Sequence, residues 1–226
     1  MSEVRSALVW ERGDVFPSPL TVTLQEVMVQ KKQLLLALVC QGEAGGQSAQ
    51  LAAGYLGESI VGWFYNELVQ YCNAKPECSV TELEQLLRGQ WERARKEWQE
   101  YAGKRNCEAA VGISGILIWG SGFVAMGNEP VYVFNRRFNK PRRKNLLPAG
   151  EDVIFASGEI GSFLSLYLEN KGMSEGIKEE ALLESLYVEK AMEEHKLEKR
   201  LGELGKAAVS RMDGKSVGAV ILEVEP

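Results

Sequence analysis

Leu34-Leu35-Leu36-Ala37-Leu38-Val39-Cys40, running into Gln41-Gly42-Glu43-Ala44-Gly45, is an unbroken apolar run that ends in a glycine-rich turn. Seven apolar residues without a polar face predict a strand buried on both sides, one that must lie inside a layered structure. Upstream, Val22, Leu24, Val27 and Val29 alternate with polar residues, and Lys31-Lys32-Gln33 separates the two runs as a tight hairpin. Downstream the period changes. Ala49, Ala52, Ala53, Leu56, Ile60, Trp63, Phe64 and Leu68 form one helical stripe between Gly46 and Gln70.

A second helix is predicted from Ser79, where Ser79 and Glu82 have the spacing of a capping box. Its stripe is Leu83, Leu86, Leu87, Trp91, Ala94, Trp98 and Tyr101, which reads as core packing. Val111 to Trp119 and Phe123 to Ala125 form a hairpin turning at Gly120-Ser121-Gly122, followed by strands at Val131 to Phe134 and Val153 to Ala156. Helical periodicity is read at Ile160 to Leu168, at Glu179 to Met192, and at Leu197, Leu201, Leu204 and Ala208, before a last strand from Val217 to Val224. Strands and helices segregated in this order indicate an α+β domain of antiparallel sheets covered by helices, with residues 1–226 as one unit.

Composition narrows the function classes. A net charge of -5 and pI near 5.2 argue against general affinity for nucleic acid or anionic membrane. Ala109 to Asn128 is uncharged and long enough to span a bilayer, but its glycines make it a buried hairpin. Cys40, Cys72, Cys78 and Cys107 lack the spacing of a disulfide framework, and Met1 to Glu11 lacks the apolar core of an export signal; both point to the cytoplasm. His195 is the only histidine and sits among charges, which excludes histidine metal sites and the usual nucleophile triads.

The junction Cys40 to Gly45, followed by Ala49-Gln50-Leu51-Ala52-Ala53, resembles the Asp-Gly-x-Gly-Gly strand end and small-residue helix of the 2C-type, metal-dependent protein phosphatases. Val111 to Phe134 is similar to that family's strand, hairpin and Gly-Asp-Ser-Arg segment, with Gly127-Asn128-Glu129-Pro130 in the last place. Val153 to Ser157 with Gly158-Glu159 resembles the strand ending in Ser-Asp-Gly. Lys215-Ser216-Val217-Gly218 resembles the closing Asp-Asn-x-Thr. The resemblance implies a four-layer α-β-β-α sandwich, with two magnesium or manganese ions at one edge activating water against phosphoserine or phosphothreonine. It also implies protein partners in phosphorylation signalling, while the compact, linker-free chain suggests a bacterial origin.

Such ions need carboxylates. At the matching positions this chain has Gln41, Gly42, Gly158 and Lys215, with Glu159 adjacent. An ammonium a few ångströms from a divalent ion is repelled by several kcal/mol even at an effective dielectric of about 20. The family's first acidic ligand matches Glu26 loosely, and Glu26 is a candidate to pair with Lys215 in place of a metal; Arg5 and Arg12 are candidates for its phosphate-binding arginine. The expectation is therefore an inactive, cofactor-free relative that binds a protein, a phosphoprotein or a kinase. The alternative is an unusual phosphatase whose metals are held by Glu26, Glu43, Glu159 or Asp152.

One further feature has binding chemistry. Arg136, Arg137, Lys140, Arg142, Arg143 and Lys144 form a basic run suited to an anion, an acidic partner or a nucleic-acid backbone. The acidic stretch from Glu169 to Glu203 is its counterpart in charge and a candidate to dock the basic run of a second copy as a homodimer.

Overall fold

The structure is a computed structural model that describes residues 4–14, 19–43, 46–107, 109–135, 143–160, 164–186, 193–213 and 215–224. Among the described residues ten strands form two antiparallel five-stranded sheets. The first sheet has the order β1 (Val4–Glu11), β10 (Val217–Val224), β9 (Leu164–Glu169), β6 (Val131–Asn135) and β7 (Arg143–Leu147). The second runs β2 (Leu20–Val29), β3 (Lys32–Gly42), β4 (Val111–Trp119), β5 (Gly122–Gly127) and β8 (Ile154–Glu159).

The apolar run Leu34 to Cys40 is β3, fully enclosed between β2 and β4. Its even-numbered residues Leu34, Leu36, Leu38 and Cys40 face the helices, and its odd-numbered Leu35, Ala37 and Val39 face the other sheet. The two-residue period of a strand thus explains why no polar face exists: both faces are core. Against the even face lie α1 (Gly46–Trp63), continued by a π turn at Phe64–Leu68 and α2 (Val69–Ala74), and the long α3 (Val80–Arg105). Both Trp91 and Trp98 are buried in this layer. α3 begins on the predicted capping box: Ser79 accepts from the Glu82 amide, and the Glu82 carboxylate accepts from the Ser79 amide. On the outer face of the first sheet pack α4 (Lys171–Gly176), α5 (Glu179–Leu186) and α6 (Glu194–Val209), closing the four layers.

Several elements differ from the sequence reading. The segment Ile160 to Leu168 contains β9, not a helix. Ser165 through Glu169 are all buried and β9 is paired on both sides, so its apolar residues carry no clean alternation. β1 carries charges near both ends that mask it in the sequence, and β7, which begins at the end of the basic run, pairs with β6. Ala109 to Asn128 is the predicted hairpin, and no helix among the described residues is long and apolar enough to cross a membrane. The cysteines are all free thiols, and burial pushes Cys40 and Cys72 up to about 12, which leaves both unreactive.

Truncating Leu36 to alanine is expected to cost about 3 kcal/mol, because its site is sealed on every side. Ser79→Ala should cost about 1 kcal/mol through the lost cap. Urea midpoints with an unchanged denaturant slope check both values.

Candidate functional site

The end of β3 is fixed by a close approach. A Cβ on Gly42 would lie 2.5 Å from both the Cβ and the carbonyl oxygen of Ala49, so α1 packs directly on the strand end and only glycine fits. The Gly42 amide donates to the Pro19 carbonyl (2.7 Å) and the Glu43 amide to the Ala110 carbonyl (3.0 Å). Gln41 therefore emerges at the sheet edge directly opposite Gly112 of β4. Gly112 leaves room for Glu129: a Cβ there would lie 2.7 Å from the Glu129 Oε1. Directly opposed strand residues share a face, so the Gln41 amide and the Glu129 carboxylate sit side by side. Asn128 closes the start of β4, accepting from the Ile113 amide (2.8 Å) and donating to the Val111 carbonyl (3.2 Å).

The first sheet supplies the opposite wall. Asn170, at the end of β9, is 3% exposed. Its Oδ1 accepts from the Met173 amide (3.1 Å), capping α4, and from the Gly218 amide (2.9 Å), while its Nδ2 donates to the Ser216 carbonyl (3.1 Å). The next residue, Lys171, donates its backbone amide to the Gln41 Oε1 at 3.3 Å. This bond joins the two sheet edges. Ser216 Oγ accepts from the Gly13 amide (3.1 Å). Burial, and then the Glu43 carboxylate, push Glu129 above the usual carboxylate range, and the Lys171 ammonium opposes them. A cleft of about 890 Å³ opens beside this edge, with Glu43, Asn128 and Asp152 on one side and Trp91, Arg95 and Trp98 of α3 on the other.

The chain superposes on a bacterial serine phosphatase with a TM-score of 0.77 at 13% identity, covering 99% of this chain and 98% of that one. It matches the catalytic domain of the serine/threonine phosphatase PstP, solved with two manganese ions, at a TM-score of 0.73 and 13% identity over 100% of both chains. A serine/threonine phosphatase from Staphylococcus aureus gives 0.71 and 13% over 99% of this chain and 96% of that one. The fold is that of the 2C-type serine/threonine phosphatases. No protein-family profile and no curated protein matches the sequence.

Within this 2C-type frame the predicted positions separate into two groups. Gln41, Gly42 and the strand start after Lys215 meet at the edge just described, together with Glu43 and Glu129. Gly158 and Glu159 do not. They pair with Phe123 and Gly122 beside Trp119, seven residues along β4 from Gly112, or about 23 Å at 3.3 Å per residue. The strand that ends beside Gln41 and leads into a helix is β9, so the residue in that place is Asn170. The two strands look alike in sequence, and β9 had been read as helix. The signal that singles it out is Asn170-Lys171-Gly172, a side-chain cap directly after an apolar run.

Glu26 is also at the far end. Its carboxylate accepts from Gln33 Nε2 (2.8 Å), and Gln33 holds Val4, which lies opposite Val224; Lys215 leads into the other end of β10. Glu26 and Lys215 thus form no pair, and Glu26 and Glu159 lie at the far end from Glu43 and Asp152, which share the cleft. Lys215 itself is exposed, its amide bonded to the Met212 carbonyl.

Of the basic run, Arg136, Arg137, Lys140 and Arg142 lie outside the described residues. Lys144 is exposed, but Arg143 is not free for an anion. Its guanidinium bonds Glu169 (2.8 Å), lies 3.6 Å from Glu179 and stacks 4.1 Å over the Tyr132 ring. Part of the acidic stretch is thus neutralised within the same chain. Arg5 and Arg12 both have partners.

Glu169 is pushed up to about 7 from 4.5, chiefly by burial, with the Arg143 charge opposing. The folded chain therefore holds this proton more tightly than the unfolded chain, and stability falls as pH rises between those two values. Glu169→Gln is expected to flatten that slope in urea titrations taken across this window.

Proposed function

We propose that this chain is a catalytically inactive protein of 2C-type phosphatase fold that serves as a regulatory or protein-binding module in serine/threonine phosphorylation signalling. The observation that carries the reading is the donor set at the sheet edge. Two divalent ions require several carboxylates with free lone pairs. The edge instead presents Gln41, whose Oε1 accepts the Lys171 amide, and Asn170, whose Oδ1 accepts two backbone amides. Glu43 and Glu129 are adjacent carboxylates there, opposed by the Lys171 ammonium, and Glu151 and Asp152 line the cleft beside them. Among the described residues no group of three or more His, Cys, Asp or Glu side chains is placed to hold a metal. These residues do not fit a binuclear centre.

The partner follows from what the fold keeps rather than from what it has lost. A module of this shape, without the centre, would engage a phosphoprotein or the kinase that makes one, in a cytoplasmic bacterial setting consistent with the solved bacterial phosphatases. The second reading, a metal-dependent phosphatase, rests on the adjacency of Glu43 and Glu129.

Turnover of a phosphoserine peptide in excess manganese separates the two. No release of phosphate above the metal-only blank is expected, whereas metal-dependent turnover abolished by Glu129→Gln would establish the second reading. Gln41→Asp, Asn170→Asp and Lys215→Asp together are expected to create manganese-dependent thermal stabilisation absent from the parent chain.

A further inference from the structure

One wall of the cleft of about 890 Å³ beside the sheet edge is a single face of α3, where Trp91, Arg95, Trp98, Gln99 and Ala102 recur at helical spacing. From Trp91 to Ala102 this wall runs about 16.5 Å at 1.5 Å per residue. An extended segment of about five residues, at 3.3 Å each, spans it. Leu56 and Val153 add apolar lining. Trp91 and Trp98 are each more than nine-tenths buried, and the Trp98 ring lies 5.7 Å from the rings of both Tyr55 and Tyr101. The indoles are therefore fixed before anything binds, and a ligand that packs on them orders little of the protein.

The facing wall carries charge that the fold does not use. Glu43, Glu151 and Asp152 are exposed carboxylates on the cleft, and among the described residues none of them forms an ion pair. Arg95 is the one cation among the cleft-lining residues, and it too forms no ion pair among the described residues. Three carboxylates against one guanidinium attract cations and repel phosphate. Arginine and lysine suit such a cleft, because their apolar stems pack on the indoles while their charges reach the carboxylates. A small organic cation would leave Arg95 and Gln99 without acceptors, whereas a peptide brings a carbonyl at every residue.

We propose that this cleft binds an extended basic segment of a partner protein, with arginine or lysine side chains at Glu43, Glu151 and Asp152 and alternate apolar side chains on Trp91 and Trp98. The inference rests on the protein-binding half of the function proposed above and supplies the chemistry of the partner. It does not depend on the state of the metal edge.

The probe is the end-blocked peptide Arg-Leu-Arg-Leu-Arg, titrated calorimetrically into the full chain in chelator at neutral pH, so that a failure of the inactive-enzyme reading leaves this result untouched. Saturable binding of one peptide per chain is expected. Glu151→Lys with Asp152→Lys should weaken it by at least about tenfold. Glu198→Lys with Glu203→Lys makes the same change in net charge on exposed positions of α6, in the opposite helix layer, and should leave binding unchanged. Replacing both leucines of the peptide by serine should weaken binding to the parent chain. Absence of saturable binding overturns the proposal, as does an equal loss in the α6 variant, which would mean general attraction to an acidic protein. Unchanged affinity in the Glu151 and Asp152 variant or for the serine peptide overturns it as well.

Discussion

The side chain of Asn170 holds the working edge of this fold together. It accepts from two backbone amides and donates to one backbone carbonyl, tying the end of β9, the start of α4 and the start of β10 at a single buried point. An amide does both, and a carboxylate does not. A carboxylate there would face the Ser216 carbonyl without a proton to share, an uncompensated polar contact of about 1–3 kcal/mol. The edge is therefore held by internal hydrogen bonds.

The rest of the edge follows the same logic. Gln41 spends its carbonyl on the Lys171 amide and so joins one sheet to the other. Glu129, leaning over Gly112, is held above the usual carboxylate range by burial and by Glu43, with the Lys171 ammonium opposing them. Arg143 is likewise absorbed into the fold, between Glu169, Glu179 and the Tyr132 ring. What remains is a sandwich of phosphatase shape whose polar groups mostly serve one another.

Much of this architecture was legible before any coordinates. The run Leu34 to Cys40 could only be a two-sided buried strand, the capping box fixed the start of α3, and the Gly120-Ser121 turn separated a hairpin from a membrane segment. The candidate edge was legible in part. Gln41 was found because its motif is continuous in sequence, from strand through turn to helix. Asn170 was missed because β9 is buried on both faces and bordered by another apolar strand, so two segments competed for one match. Glu26 and Glu159 were misplaced for a different reason: a strand end can be recognised from sequence, but which end of the sheet it reaches depends on pairing partners that are remote in the chain. The same remoteness hid the Arg143 to Glu169 pair.

The central claim is that this edge has lost its affinity for divalent ions. Calorimetric titration of the chelator-treated full chain with manganese at neutral pH tests it most directly. The account predicts no binding heat beyond dilution. Saturable binding of two ions per chain would contradict it and return the protein to the working phosphatases.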